Sequence, residues 1–289
     1  MSDSESRGSS RKLLNVGCGS TFDPAWTNVD CSPAHPGIQK ADIRHGLPFS
    51  PDCFAGVYAS HVLEHLSLEE GGEFLAECRR VLRPNGVIRL AVPDLEGIAK
   101  LYLESLELAR RGSSEWKHRY DWMMLEMFDQ SVREQSGGRM APYIQRQPLT
   151  IEEFIIARVG EEARRIIHSA RHSVSSPQRR AGSVASWLSR SRKLLSGNWW
   201  REKTLRYLLG TEYRALEIGR FRLSGEVHHW MYDSYSLGQL LSDAGFHETA
   251  VCSALESRIP EWESFRLDTD EEKMVRKPDS LFMEAVKPS

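Results

Sequence analysis

The chain alternates between two patterns of apolar and polar positions. Over residues 11–94 short apolar runs are separated by polar stretches: LLNV (13–16), TNVD (27–30), ADI (41–43) as the end of a third run, and GVYAS (56–60) read as strands. Residues 67–82 carry Leu68, Phe74, Leu75, Cys78, Val81 and Leu82 on one side, the period of an amphipathic helix. Arg83-Pro84-Asn85-Gly86 should stop that helix, with Gly86 taking the positive φ that follows its end. VIRLAV (87–92) is a fifth strand, ended by Pro93-Asp94. From Leu95 to Arg222 β-branched alternation nearly vanishes, and the pattern predicts helices over 95–111, 115–134, 150–171 and 184–209, with 173–182 as an exposed loop. Strand patterning returns at the end: a helix over 236–244 closed by Gly245, then 248–256 and 280–287 as an antiparallel pair.

The predicted fold class is α/β. A sheet domain is built from 11–94 and 226–289, a helical insertion over 95–225 separates the fifth and sixth strands as a substrate lid, and the Ser-rich residues 1–10 form a disordered leader.

Composition changes this picture in one place. No apolar run approaches the roughly 18 residues of a membrane span, and the first residues lack the apolar core of a signal peptide, so a cytoplasmic protein is expected. Five cysteines, odd in number and without a CxxC pair, support neither a disulfide framework nor a zinc knuckle. The formal net charge of −2 hides an imbalance: Arg158 to Arg206 holds 12 Lys+Arg against three acids, a balance of +9 that leaves −11 for the remainder. The stretch 184–209 sets Val184, Trp187, Leu188, Leu194 and Leu195 on one face, with Arg190, Arg192 and Lys193 off it, followed by Trp199-Trp200. A basic segment with tryptophans suits an anionic membrane surface, so 173–209 is expected to make peripheral contact at the inner membrane face. A solvated helix packed on its own domain is the alternative. Nucleic acid is disfavoured, because the sequence pI is about 6.6 and no RNA-binding module is attached.

Candidate chemistry lies at the ends of the strands. Asn15-Val16-Gly17-Cys18-Gly19-Ser20 follows the first strand, and its glycines let backbone N–H groups approach a ligand. Phe22 stands where a dinucleotide fingerprint needs its third glycine, which disfavours nicotinamide binding. Asp30 ends the second strand, placed to accept from two ribose hydroxyls. Asp42-Ile43 ends the third, an acceptor and an apolar wall for an adenine-like ring. Ser60-His61 ends the fourth and Pro93-Asp94 the fifth, along the carboxyl edge where open parallel sheets bind ligands.

These stretches, LLNVGCGS, TNVD, ADIRHGLPF, GVYASHVLEHL and RVLRPNGVIRLAVPDL, resemble class I S-adenosylmethionine-dependent methyltransferases over about 11–103, and over 226–289 more loosely. WMMLEMFDQSVREQSGGRM (122–140) and HHWMYDSYSLGQLLSDAGF (228–246) are similar to a bacterial subgroup associated with glycosyltransferases of surface-polysaccharide synthesis. The resemblance implies a Rossmann-like, doubly wound, mostly parallel sheet with a C-terminal antiparallel strand. S-adenosyl-L-methionine would be the cofactor, Gly17 and Gly19 would line its methionine and ribose portion, Asp30 would hold the ribose, Asp42 and Ile43 would flank the adenine, and Ser60 would lie by the amino-acid end. The chain departs from the family at Asn15, where an acid is usual, and in having only seven residues between Gly19 and Thr27, too few for an ordinary crossover helix. Loop backbone or Trp26 would close the cofactor pocket instead.

A sulfonium methyl is already activated, so the protein needs to align a nucleophile and take a proton from a hydroxyl. His61 is the first candidate base, His228 and His229 the second, and Asp94 would orient one of them or bind substrate. His65 reads as a packing or capping residue on a helix. His61-x-x-Glu64-His65 has the inverted-zincin order but no third ligand in view, so no metal is expected. The turn Ser136-Gly137-Gly138-Arg139 could cup a substrate anion, with Arg139 as a bidentate donor. Trp122, Met123, Met124, Leu125, Met127 and Phe128 read as core. The leading reading is O-methylation of a sugar or glycan hydroxyl, with a carbohydrate or small-molecule acceptor. The alternatives are methylation of RNA or of a small metabolite, and a non-catalytic methyltransferase-like binding or scaffold protein.

Overall fold

In the computed structural model, which describes residues 12–175 and 197–289, β1 (Leu13–Val16) is a fully buried strand near the middle of a seven-stranded sheet. The others are β2 (Thr27–Asp30), β3 (Ile38–Lys40), β4 (Phe54–Ser60), β5 (Leu82–Pro93), β6 (His247–Cys252) and β7 (Ser280–Val286). Their order is β3-β2-β1-β4-β5-β7-β6; β1 to β5 run parallel, while β7 is antiparallel to both β5 and β6. The strand order reverses beside β1, which puts the ends of β1 and β4 at the crevice where such sheets bind ligands. The fold is the predicted Rossmann-like, mostly parallel sheet flanked by helices.

One face of the sheet is conventional. Leu14, Val16, Val57, Ala59, Ile88 and Leu90 pack under α1 (Leu68–Val81) and a later helix, α9 (Ser234–Asp243), in one buried cluster. Ser67 starts α1 with a capping box against Glu70, which satisfies two backbone N–H groups. At the other end the left-handed residue is Asn85 (φ 60°), not Gly86. Gly86 is needed for space: a Cβ there would stand 2.8 Å from the Arg83 carbonyl. The RPNG stretch runs on into β5, whose range is longer than VIRLAV.

The other face lacks a first crossover helix, and residues 17–26 indeed form only turns. The C-terminal stretch before β7 covers the exposed area instead: Ile259, Trp262 and Leu267 pack on Leu13, Tyr58 and Val87. Trp26 is buried in the same group, edge-on to Tyr58, Trp262 and Phe265, so it fills the core and does not close a pocket. Arg89, fully buried on β5, nails the stretch down by donating to both Asp268 Oδ2 (2.8 and 2.9 Å) and Glu284 Oε1 (3.0 Å) with Trp262 stacked on its guanidinium. Two carboxylates and three backbone or sulfur acceptors satisfy this cation, the condition for burying a charge.

Between β5 and α9 lie α2 (Leu95–Arg110), α3 (Ser114–Val132), α4 (Met140–Ile144), α5 (Glu152–Val159), α6 (Glu161–Ser175), α7 (Gly197–Leu209) and α8 (Tyr213–Arg222). The expected helix over 150–171 is two helices, broken at Gly160, whose φ is +73° and where a Cβ would meet the Arg276 carbonyl at 2.2 Å. This layer has its own core around Trp122, Met123, Tyr143, Ile151 and Ile155, with the buried ion pair Glu126–Arg158 (2.8 Å) beside it. Phe128, read as core, is half exposed. The leader 1–10 and most of the basic stretch 173–209 lie outside the described residues; the part of it in α7 leaves Trp200, Tyr207 and Leu208 exposed. No helix among the described residues is long and apolar enough to cross a membrane.

Candidate active site

The loop after β1 is held without a helix by side-chain amides. Asn15, buried, donates to the Thr21 carbonyl (3.2 Å) and to Asn28 Oδ1 (3.1 Å), while Asn28 donates to the carbonyls of Asp23 and Trp26. A carboxylate at position 15 could not donate to Thr21, which gives the departure at Asn15 a physical reason. Gly17 and Gly19 take left-handed conformations (φ 64° and 53°). A Cβ at Gly17 would stand 2.4 Å from Val62 Cγ2, whereas one at Gly19 would point into open space above the strand ends. The Gly19 N–H donates to Asp30 Oδ2 (2.9 Å) and the Ser32 N–H to Asp30 Oδ1 (2.8 Å). Each oxygen of Asp30 therefore keeps a lone pair for a ligand hydroxyl.

A cavity of about 530 Å³ opens here, lined by Asn15, Gly17, Gly19, Ser60 and His61 from the strand ends, and by Arg165, Asp268, Lys277 and Ser280 from α6 and the C-terminal stretch. Asp30, Asp42 and Ile43 lie outside it. The third strand stops at Lys40, three residues earlier than expected, so Asp42 instead caps a 3₁₀ turn (Ile43–His45) and pairs with Arg44 at 2.9 Å. The hydrogen bond from Arg44 holds the Asp42 carboxyl below the usual carboxylate range. Ile43 turns toward α1, lining a small pocket with Leu66 and Phe74.

A second cavity, about 510 Å³, lies between the strand ends and the helical layer. His61, Glu162 and Lys277 line both cavities and mark where they join. His61 sits in a left-handed conformation (φ 53°), unusual for a side chain with a Cβ, and its N–H bonds the Ala91 carbonyl at 2.8 Å. Its Nδ1 is 3.0 Å from Glu64 Oε1 and its Nε2 is 2.8 Å from Ser280 Oγ. Glu64 has no exposed surface; burial would raise its pKa, but the charge and proximity of His61 outweigh this and bring it down to about 2. An ionised Glu64 at Nδ1 assigns the proton to that nitrogen and leaves the lone pair on Nε2.

The remaining predicted residues separate. His228 is buried in the second cavity, ring edge against His65 at 4.8 Å, and burial pushes its pKa down to about 3. His229 is exposed and lines neither cavity; its backbone N–H serves the Glu64 carbonyl. Asp94 precedes α2 without a capping hydrogen bond from its side chain, which lies over the first turn, Oδ2 2.5 Å from where a Cβ of Gly97 would be. Asp94 lines neither cavity; the acids on the second one are Glu126, Glu162, Glu226 and Asp279, of which burial pushes Asp279 up, beside Lys277, which burial pulls down. Arg139 is exposed and faces a different groove, with Phe128 and Arg214. Its turn is clamped from within by Asp129, which accepts from the Arg139 N–H (2.7 Å), and by Glu226, which accepts from the Gly137 N–H (3.1 Å). Arg133, the residue after α3, lines the second cavity together with Ser136 and Gly137 of the turn. His65 lies in a 3₁₀ turn (Leu63–His65) ahead of α1, not on a helix. Glu162, Lys277 and Asp279 were missed by sequence reading, because nothing in a helix start or in the run KPDS signals proximity to His61.

Residues 14–90 match the family model described as a methyltransferase domain, over the strands and loops that build the first cavity. This segment is similar to a methyltransferase domain. S-adenosylmethionine is the cofactor of that domain, and the open space at Gly19, on the cavity wall, leaves room for such a group. No curated protein matches the chain. Among solved structures, the [4+2]-cyclase SpnF is 24% identical over 28% of this chain and 38% of its own, with a TM-score of 0.25. A methyltransferase of Haloferax volcanii in complex with the Trm112 activator is 12% identical over 97% of this chain and 84% of that one, TM-score 0.38. A Thermotoga maritima S-adenosylmethionine-dependent methyltransferase, described as a possible histamine N-methyltransferase, is 9% identical over 96% and 82%, TM-score 0.38.

Proposed function

We propose that the methyltransferase domain and the helical layer act together as an O-methyltransferase whose acceptor is a hydroxyl of a sugar or glycan. The observation that carries this reading is the position of His61 at the junction of the two cavities, with Glu64 at one nitrogen and a hydroxyl at the other. S-adenosylmethionine supplies a methyl already activated on a sulfonium. His61 accepts the acceptor's proton at Nε2, directly or through the Ser280 hydroxyl, and Glu64 fixes the ring and offsets the positive charge that results. The second cavity presents Gln130, Arg133, Glu162, Lys277 and Asp279, donors and acceptors suited to the many hydroxyls of a carbohydrate. Ile98, Met140, Ile144, Val159, Ile166 and Met231 give the same cavity an apolar side, against which the C–H face of a sugar ring packs.

The test is incubation with methyl-labelled cofactor and a panel of sugars and lipid-linked glycans, followed by identification of labelled methyl ethers. A labelled sugar ether lost in His61→Ala, with cofactor affinity retained, is expected. Label in RNA or on nitrogen would overturn the acceptor class, and no calorimetric binding of millimolar S-adenosylmethionine would overturn the activity. Contact with an anionic membrane through 173–209 belongs to the same proposal, supported by the exposed Trp200, Tyr207 and Leu208. Flotation with anionic but not neutral vesicles checks it.

A further inference from the structure

We infer that Glu64, His65 and His228 form a binding site for a divalent transition metal of the zinc or cobalt class. One ligand-capable atom from each lies within 4.8 Å of the others. The sequence offers only Glu64 and His65 as neighbours. The third group arrives from 163 residues further along the chain, when the backbone N–H groups of His229 and Trp230 bond the Glu64 carbonyl (2.7 and 3.3 Å) and draw His228 over the turn.

Three observations point to a ligand among these residues. Oε2 of Glu64 and Nδ1 of His228 are buried without a hydrogen-bond partner, an arrangement costly for a carboxylate unless a cation satisfies it. Nδ1 of His65 stands 3.2 Å from the Val227 carbonyl, so it carries the proton and Nε2 keeps its lone pair, the orientation that an outer carbonyl gives a metal-bound imidazole. His61, at one oxygen of Glu64, leaves the other available. Two imidazoles and one carboxylate are the ligand set of open zinc sites and are too nitrogen-rich for magnesium or calcium. His65 and His228 also line the second cavity, so a coordination position would face it.

The inference is independent of the methyl-transfer reading, and its test needs no acceptor. The full chain, treated with chelator and dialysed, is titrated with Zn²⁺ by calorimetry and with Co²⁺ by visible absorption. One equivalent bound, with Co²⁺ ligand-field bands of a four- or five-coordinate site, is expected. Affinity should fall at least tenfold in His228→Ala and in His65→Ala, each checked for folding by circular dichroism, and stay unchanged in His229→Ala. Should either variant not fold, His65→Asn and His228→Gln replace them. No binding by the unaltered chain, or binding that both variants leave unchanged, would overturn the site.

Discussion

Nδ1 of His61 and the carboxylate of Glu64 stand 3.0 Å apart although Glu64 has no exposed surface and His61 borders two cavities. The pair joins a buried charge to an accessible ring through one 3₁₀ turn. Replacing Glu64 by Gln keeps the shape and removes the charge that fixes the tautomer. Turnover should drop by about 10²-fold while S-adenosylmethionine affinity stays within a factor of about two, as read by steady-state rates and calorimetry. An equal loss of cofactor binding would move Glu64 out of the proton-transfer machinery.

Acid stability follows from the same cluster. In metal-free protein, burial keeps His228 neutral down to about 3 where a free imidazole titrates at 6.5. The unfolded chain therefore binds one more proton across that window, so stability rises with pH there and is lost on acidification, by about 1.4 kcal/mol per pH unit. Glu64 adds a second proton of the same sign below 4.5, because its folded value is depressed to about 2. Urea midpoints measured from about pH 7 to pH 5 should flatten in His228→Gln; an unchanged slope would mean that His228 is not buried neutral.

The two glycines of the first loop should differ. Gly17→Ala drives a Cβ to 2.4 Å from Val62 Cγ2 in a left-handed conformation, a packing defect expected to cost about 2–4 kcal/mol and lower the melting temperature. Gly19→Ala meets nothing, so its cost is the conformational strain alone, about 1 kcal/mol, and its effect should appear as weaker cofactor binding.

Arg89→Met strands Asp268 and Glu284 inside the sheet. A loss of about 3–5 kcal/mol in chemical denaturation is expected. Cofactor affinity should weaken with it, since Asp268 and the stretch it anchors wall the first cavity. Arg89→Met with unaltered stability would show that the C-terminal stretch docks by its aromatic residues alone.

Arg139 and Lys277 separate the sequence-based site from the one the fold builds. Arg139→Ala, on the surface, should change stability by less than about 0.5 kcal/mol and leave acceptor KM unaltered. Lys277→Ala, at the junction of the cavities, should raise the apparent KM for acceptor or cofactor by about tenfold.

Local patterning made much of this protein legible. Short apolar runs located β1, β2, β4, β5 and β7, because strands covered on both faces of a sheet are apolar on both, and the lack of room between Gly19 and Thr27 left no place for an ordinary crossover helix. Gly17, Gly19, Ser60 and His61 were found as cavity residues, because a parallel sheet gathers its strand ends at one edge. Local signals do not locate cavity walls built by remote segments. Asp42 pairs with Arg44 two residues on, Arg139 lies on another groove, and Asp94 lies over its own helix, while Asp279, 185 residues later, lines the second cavity.

The sequence by itself determined the strand-helix order, the glycine loop and the acidic body with its basic segment, all of which rest on neighbours in the chain. Only the tertiary structure decided which face of the sheet the C-terminal stretch covers, that Asn15 holds a helixless connection, and that His228 meets Glu64 and His65. Those contacts join residues 13 to 210 positions apart, and they form because buried charges and amides must find partners once water is excluded.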